Sequence, residues 1–354
     1  MSVDVRIKKK YEDFMLDVSF ESDIKRIGIL GASGSGKSLT LKSIAGLVRP
    51  DEGRISHNDM LLYDSDMRID VKAGKRRVGY LFQDYALFPN MTVEENISAA
   101  LHGMRHNNRH YKGSGNNTGR TADDILKRFD LFDIKEHRPH ELSGGQQQRT
   151  ALARMLATDP ELLLLDEPFS AMDAHLREGM RLELISILDK CDKTVILVSH
   201  DRDEVYQMCD RLILLKKGRV IADGDTDELF RHPETVAAAR LTGCKNISRI
   251  QKLTGHRVRA LDWDDIELVT DEAIGDEITH IGIRAHDLVP DERSVNVISC
   301  GDVRVSRLPF EWYITLENGL WWKASRELYD EYNTEMIPRY VSIDPGKVLL
   351  LKDV

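Results

Sequence analysis

The stretch GASGSGKS, residues 31–38, decides how the rest of the chain is read. It follows the apolar run Ile27-Gly28-Ile29-Leu30 and precedes the helical pattern LTLKSIAGL. Strand, glycine-rich turn and helix stand in the order that G-x-x-x-x-G-K-[ST] requires, and every fixed position matches: Gly31, Gly36, Lys37, Ser38. Glycines let successive backbone N–H groups turn inward and approach phosphate oxygens. The helix N-terminus that follows adds a favourable potential for an anion. Gly31, Ala32, Ser33, Gly34, Ser35, Gly36, Lys37 and Ser38 are therefore expected to cradle a nucleoside triphosphate. Lys37 would reach the β- and γ-phosphates, and the Ser38 hydroxyl would ligate Mg²⁺.

Further along, ELLLLDEP places four leucines ahead of Asp166 and Glu167. A buried strand ending in two carboxylates suits such a cradle. Asp166 would hold Mg²⁺, directly or through water, and Glu167 would polarise a water for in-line attack on the γ-phosphate. Val78–Phe82 and Val195–Val198 also read as strands buried on both faces, because their apolar runs are continuous. Helical patterns at Gln146–Leu156 and Ala174–Leu188 lie between strands. That alternation predicts an α/β domain with a largely parallel sheet.

LSGGQQQR, Leu142–Arg149, completes the pattern, and here the chain resembles the ATP-binding subunits of ABC transporters over roughly residues 3–240. Gln83 in YLFQDYALFP is similar to that family's glutamine loop. Ser143, Gly144, Gly145 and Gln146 match its signature motif, Asp173 closes the loop after the acidic strand, and His200 after TVILVS matches the switch histidine. The resemblance implies a P-loop NTPase fold: a RecA-like parallel sheet with an antiparallel β subdomain and a helical subdomain. It also implies ATP and Mg²⁺ as ligands, with Ser38, Gln83 and Asp166 around the metal. Lys37, Gln83, Glu167 and His200 would serve hydrolysis. Two copies would pack head to tail, the signature motif of one capping the ATP of the other. An aromatic near the N-terminus would stack on adenine, and Tyr11 and Phe14 are both candidates.

The resemblance further implies an ATP-hydrolysing energy-coupling subunit of a binding-protein-dependent importer. It would sit peripherally on the cytoplasmic face of the membrane through integral permease subunits, served indirectly by an extracytoplasmic substrate-binding protein. KNIS, residues 245–248, and HIGIRAHDL, residues 280–288, are similar to the start of the accessory domain of molybdate and sulfate importers, which makes an oxyanion such as molybdate the expected cargo. Sulfate, iron, polyamine or sugar importers would look nearly the same in the nucleotide domain. A soluble ABC ATPase acting outside transport would carry two nucleotide domains or long coiled-coil insertions, and this chain has one set of motifs and no heptads.

Composition agrees with two domains. The chain has 354 residues with 41% hydrophobic and 31% charged content. A net charge of −9 argues against a nucleic-acid partner. Four scattered cysteines, Cys191, Cys209, Cys244 and Cys300, make no disulfide framework, which suits a reducing compartment. No signal peptide is expected at MSVDVRIKKKYEDF, and no run reaches the ~18 apolar residues needed to span a bilayer. The expected domains are residues 1–240, nucleotide-binding with its helical subdomain starting at 90–140, and residues 245–354. The first carries HNNRHYKGSGNNTGR, a polar stretch read as a surface loop. The second carries RVRAL, IELVT, HIGIRA, VNVISC, EWYITLE and KVLLLK, which predict a small all-β barrel of the MOP/TOBE kind. Its Trp312, Tyr313, Trp321 and Trp322 are expected to fill the core and a dimer contact rather than stack on a ligand.

Overall fold

The computed structural model describes residues 2–107, 121–170, 172, 174–325 and 337–353. Asp173 and the polar stretch 108–120 lie outside the described residues. The chain divides into two units, Met1–Thr226 and Asp227–Val354.

In the first unit, the described strands are β1 (Val3–Lys10), β2 (Met15–Ser22), β3 (Arg26–Leu30), β4 (Glu52–His57), β5 (Met60–Asp64), β6 (Ile69–Asp70), β7 (Val78–Leu81), β8 (Leu162–Asp166), β9 (Thr194–Ser199), β10 (Arg211–Lys216) and β11 (Arg219–Asp225). They join one sheet in the order β6-β5-β4-β1-β2-β11-β10-β3-β9-β8-β7. The run β10-β3-β9-β8-β7 is parallel throughout. Every residue of β8 and β9 is buried, as continuous apolar strands covered on both faces must be. The other side of the sheet is an antiparallel wing, in which β1 alternates buried and outward residues.

Helices cover the parallel part. α1 (Lys37–Ala45) packs on β7, β8 and β9. α2 (Val93–Asn107), α3 (Ala122–Arg128) and α4 (Gly144–Ala157) contact one another and fill the region between β7 and β8 in sequence. α5 (Ala174–Asp189) links β8 to β9, and α6 (Arg202–Met208) packs on β3 and β9. The core gathers Leu16, Ile27, Ile29, Leu41, Ile44, Leu162, Leu164, Ile196, Val198 and Ile213, all at most 1% exposed.

In the second unit, α7 (Thr226–Arg231) and α8 (Val236–Leu241) precede eleven described strands: β12 (Asn246–Thr254), β13 (Arg257–Ala260), β14 (Ile266–Val269), β15 (His280–Ile283), β16 (Val289–Pro290), β17 (Asn296–Ser299), β18 (Arg304–Arg307), β19 (Glu311–Thr315), β20 (Trp321–Ser325), β21 (Tyr340–Ile343) and β22 (Leu349–Leu351). The six runs read from sequence all contain strands. Pairing is antiparallel, in sheets β14-β13-β12-β15-β22, β16-β21-β17 and β18-β19-β20 around one apolar core. Two asparagines stitch these sheets together as a strand would. Asn246 bonds both the N–H and the C=O of Trp321 (2.7 and 2.8 Å), and Asn296 does the same for Val269 (2.7 and 2.9 Å).

Two of the four aromatics meet the core expectation, since Trp312 packs half-buried against the core that holds Trp322, and two, Tyr313 and Trp321, lie on the opposite face beside Lys245. Trp322 is fully buried in the core. Trp321 is 41% exposed with the Lys245 ammonium 4.8 Å from its ring, while Tyr313 and Trp312 are half-buried. The pleat explains this: Trp321 and Trp322 are consecutive on β20, so only one can face inward.

Candidate nucleotide site

The site lies at the C-terminal ends of four neighbouring parallel strands, β3, β9, β8 and β7, where α/β sheets characteristically bind ligands. β3 ends at Leu30 and the chain turns through residues 31–36 into α1. A side chain at position 31 would place its Cβ 2.3 Å from the Leu215 carbonyl oxygen of neighbouring β10, so only glycine fits. Gly36 has φ 104°, a conformation that costs any L side chain energy, and it is the N-cap of α1. No side chain caps that helix start. The Ser35 hydroxyl is buried inside the loop without a hydrogen-bond partner. Unsatisfied donors beside a helix N-terminus are the groups an anion would satisfy.

Lys37 is 4% exposed, and its Nζ donates to the Gly31 and Ala32 carbonyls (2.9 and 3.1 Å). The loop thus folds around its own ammonium, which also sits 3.6 Å from Glu167 Oε1. Ser38 Oγ donates to Asp166 Oδ1 at 2.7 Å. Tyr80, on β7, donates its hydroxyl to Asp166 Oδ2 at 2.7 Å. Burial and the adjacent Asp166 charge raise the Tyr80 pKa, so the phenol stays protonated and donating.

Glu167 follows β8 in a left-handed conformation, φ 47°. Its N–H still bonds the Val198 carbonyl (3.0 Å), extending the ladder while turning the side chain toward His200. Glu167 Oε2 lies 3.1 Å from His200 Nδ1. Strain of this kind persists where surrounding structure imposes it, and it collects at functional sites. The contacts make two groups, Lys37–Glu167–His200 and Tyr80–Asp166–Ser38, which lie side by side because Lys37 and Ser38, like Asp166 and Glu167, are consecutive.

Gln83 stands exposed on the turn just past β7. Two and three residues on, Tyr85 and Ala86 are both left-handed (φ 60° and 43°), and Arg154 of α4 holds their carbonyls at 3.0 and 2.8 Å. Burial pushes the Tyr85 phenol up to about 12. The turn is thereby clamped to the helix that begins at the signature segment. Ser143 caps that helix: its hydroxyl accepts from Gln146 N–H (3.3 Å), and Gln146 Oε1 accepts from Ser143 N–H (2.9 Å). A Cβ on Gly144 would meet nothing within 4 Å. Among the described residues, no hydrogen bond or ion pair joins Ser143, Gly144, Gly145 or Gln146 to residues 31–38.

Tyr11 lies exposed in the β1–β2 turn, with the Lys9 ammonium 5.9 Å from its ring centre. Phe14 packs inward, its ring tip 3.1 Å from where a Cβ on Gly36 would stand. Of the two, Tyr11 is the more exposed.

Tyr80, Arg154 and the buried Gln148, which donates to the Pro168 carbonyl at 3.2 Å, were not singled out from sequence. Tyr80 has no local signature, being one more apolar residue of a strand. Arg154 and Gln148 lie on a helix already predicted, but their partners are distant in sequence.

The residues present fit Mg²⁺. A carboxylate and a hydroxyl meet at a phosphate cradle, and among the described residues no group of three or more His, Cys, Asp or Glu gathers to hold a metal. A hard cation that keeps water and phosphate ligands needs only one or two protein oxygens. No helix among the described residues is long and apolar enough to cross a membrane.

Comparison with known proteins gives concordant matches. The family described as ABC transporter matches residues 16–170. A sulfate/thiosulfate import ATP-binding protein of Caulobacter vibrioides is 36% identical over 277 residues, covering 78% of each chain. A glucose import ATP-binding protein of Saccharolobus solfataricus is 38% identical over 219 residues, covering 62% of this chain and 60% of the relative. Among solved structures, a dimeric ATP-binding cassette in a post-hydrolysis state bound to ADP and Pi matches with TM-score 0.50 and 30% identity, over 64% of this chain and 99% of that one.

Proposed function

Because this chain belongs to the ATP-binding family of ABC transporters, we propose that it binds Mg-ATP at residues 31–38 and hydrolyses it to drive import through a membrane permease. The observation that carries this reading is the cluster in which Glu167 stands 3.1 Å from His200 and 3.6 Å from Lys37, beside the Ser38–Asp166 pair. Lys37 exchanges its two loop carbonyls for phosphate oxygens when nucleotide binds. Backbone N–H groups of 32–36 and the start of α1 receive the same phosphates. Glu167 accepts the proton of the attacking water, and His200 orients Glu167 and meets the γ-phosphate. Ser38, Asp166 and Gln83 would hold Mg²⁺, which would neutralise phosphate charge. Tyr11 stacks on adenine.

Ser143, Gly144, Gly145 and Gln146 cap the nucleotide held by a second copy. Their open, capped helix start and lack of any bond to their own phosphate loop support that role. The pair is twofold, each patch contributing to both sites. Gln83, on a turn clamped by Arg154, passes the state of the γ-phosphate to the helical subdomain and the permease. The unit Met1–Thr226 carries the chemistry, and the β-rich residues 245–354 of the second unit form the accessory domain. The chain works at the cytoplasmic membrane face, with an extracytoplasmic binding protein delivering cargo.

For cargo we propose an oxyanion of the sulfate–molybdate class, supported by the resemblance at residues 245–248 and 280–288. Relatives named for glucose, putrescine and Fe(3+) import make those the competing outcomes. ATPase of the reconstituted transporter with molybdate, tungstate, sulfate, Fe(3+), putrescine or glucose decides. Stimulation by an oxyanion alone supports the reading, and stimulation by any other cargo replaces it.

A further inference from the structure

The turn that presents His200 is tied, through the Ser199 hydroxyl, to a carboxylate the mechanism above does not use. Glu204 of α6 is 4% exposed, and its Oε2 accepts from the Ser199 hydroxyl at 2.6 Å. The same hydroxyl oxygen accepts the Asp201 N–H at 2.9 Å. Ser199 and Asp201 flank His200, so a single hydroxyl ties together the residues on either side of it. Asp201 caps α6 on its own, accepting from Asp203 N–H at 2.8 Å. Glu204 is therefore not needed to start the helix, and what it fixes is the turn.

Burying a carboxylate is unfavourable unless it is hydrogen-bonded. Here burial raises the Glu204 pKa, and the Ser199 hydrogen bond opposes that rise. A second tie reaches the turn from α5. Arg177 Nη2 donates to the Met172 carbonyl at 3.2 Å, while its Nη1 lies 3.9 Å from Asp201 Oδ2. Met172 follows Glu167 in the loop after β8. Arg177 thus joins the segment after Glu167 to the turn carrying His200.

We propose that Glu204 is a positioning residue for hydrolysis: through Ser199 it fixes the backbone of His200, keeping Nδ1 at 3.1 Å from the Glu167 carboxylate, with Arg177 as the second anchor. This deepens, and rests on, the ATPase reading. Misplacing a catalytic group by ~1 Å can cost on the order of 10²-fold in rate, so a partial release of the turn should cost about tenfold.

The test uses the full chain, with steady-state ATPase and binding of a fluorescent ATP analogue. Glu204→Ala lowers kcat about tenfold with KM and analogue affinity within about twofold of the parent. Glu204→Gln, whose amide oxygen still accepts the Ser199 hydroxyl, recovers most of the loss. In a His200→Ala background Glu204→Ala costs nothing further, because its effect passes through the missing imidazole. Ser199→Ala cuts the same link without opening a large cavity and gives the same pattern, so the inference stands or falls even if Glu204→Ala does not fold. Additive losses in the double variant, or a Glu204→Gln as impaired as Glu204→Ala, overturn this inference alone. A His200→Ala protein with normal turnover overturns both it and the role given to His200.

Discussion

Tyr80→Phe removes one oxygen and leaves the ring, which packs on Phe82 with centroids 4.4 Å apart. Asp166, 4% exposed, then loses one of the two hydroxyl donors that hold it at 2.7 Å. A hydrogen bond to a charged group contributes about 1.5–3 kcal/mol, and the orphaned buried oxygen keeps its desolvation cost. For a unit of this size each kcal/mol moves Tm by roughly 2–4 °C, so a fall of about 3–12 °C is expected. The larger effect should be on metal use. Removing the hydrogen-bonding partner of a metal-ligating group typically costs ~10–100-fold in affinity or activity. The Mg²⁺ concentration for half-maximal ATPase, measured at saturating ATP, should rise at least about tenfold, with ATP binding in chelator unchanged. A variant whose Mg²⁺ titration and melting curve both overlay the parent's would refute the claim that Tyr80 orients Asp166.

Other substitutions probe separate parts of the molecule. Glu167→Gln should cut turnover by on the order of 10²-fold or more and trap an ATP-bound pair in gel filtration. Unchanged turnover and unchanged self-association would end the proposed mechanism. Gly36→Ala places a Cβ 2.6 Å from Leu16 Cδ1 at a φ of 104°, so about 1–3 kcal/mol of overpacking adds to left-handed strain. Calorimetry should show lower stability together with lost ATP binding. Trp322→Ala empties the centre of the second unit and should cost about 3–5 kcal/mol there, seen as faster hydrogen exchange in β19 and β20. Asp262 is held near about 2 by hydrogen bonds from Arg249. A depressed carboxylate stabilises the fold above its unfolded pKa and loses that contribution as pH falls through the folded value. The stability difference between parent and Asp262→Asn should therefore shrink as acid denaturation is followed from pH 4 toward 2, and a gap that widens would reverse the assignment.

Much of this was legible along the chain. The strand–turn–helix at 27–45 and the strand ending in Asp166 and Glu167 are written in consecutive residues, because a phosphate loop is a backbone conformation that local glycines permit. Less legible were residues whose role depends on register. Tyr80 pairs with Leu164 in the parallel ladder, so it shares a face with Asp166 two residues on. Nothing in VGYLF announces this. Trp321 and Trp322 look alike in composition, and which one enters the core follows from pleat and pairing.

By itself, then, the amino-acid order determined the chemical parts: the cradle at 31–38, the carboxylates at 166 and 167, the serine-capped glycine pair at 143–145 and the histidine at 200. Tertiary structure alone decided that the cradle, the carboxylates and the histidine meet while the glycine pair bonds to none of them. The reason is strand order. Motifs that follow β3, β8 and β9 lie far apart in sequence, and the parallel order β3-β9-β8 sets their ends side by side at one edge of a sheet. Hydrogen-bonded neighbours lie ~4.8 Å apart, close enough for side chains from adjacent strand ends to touch.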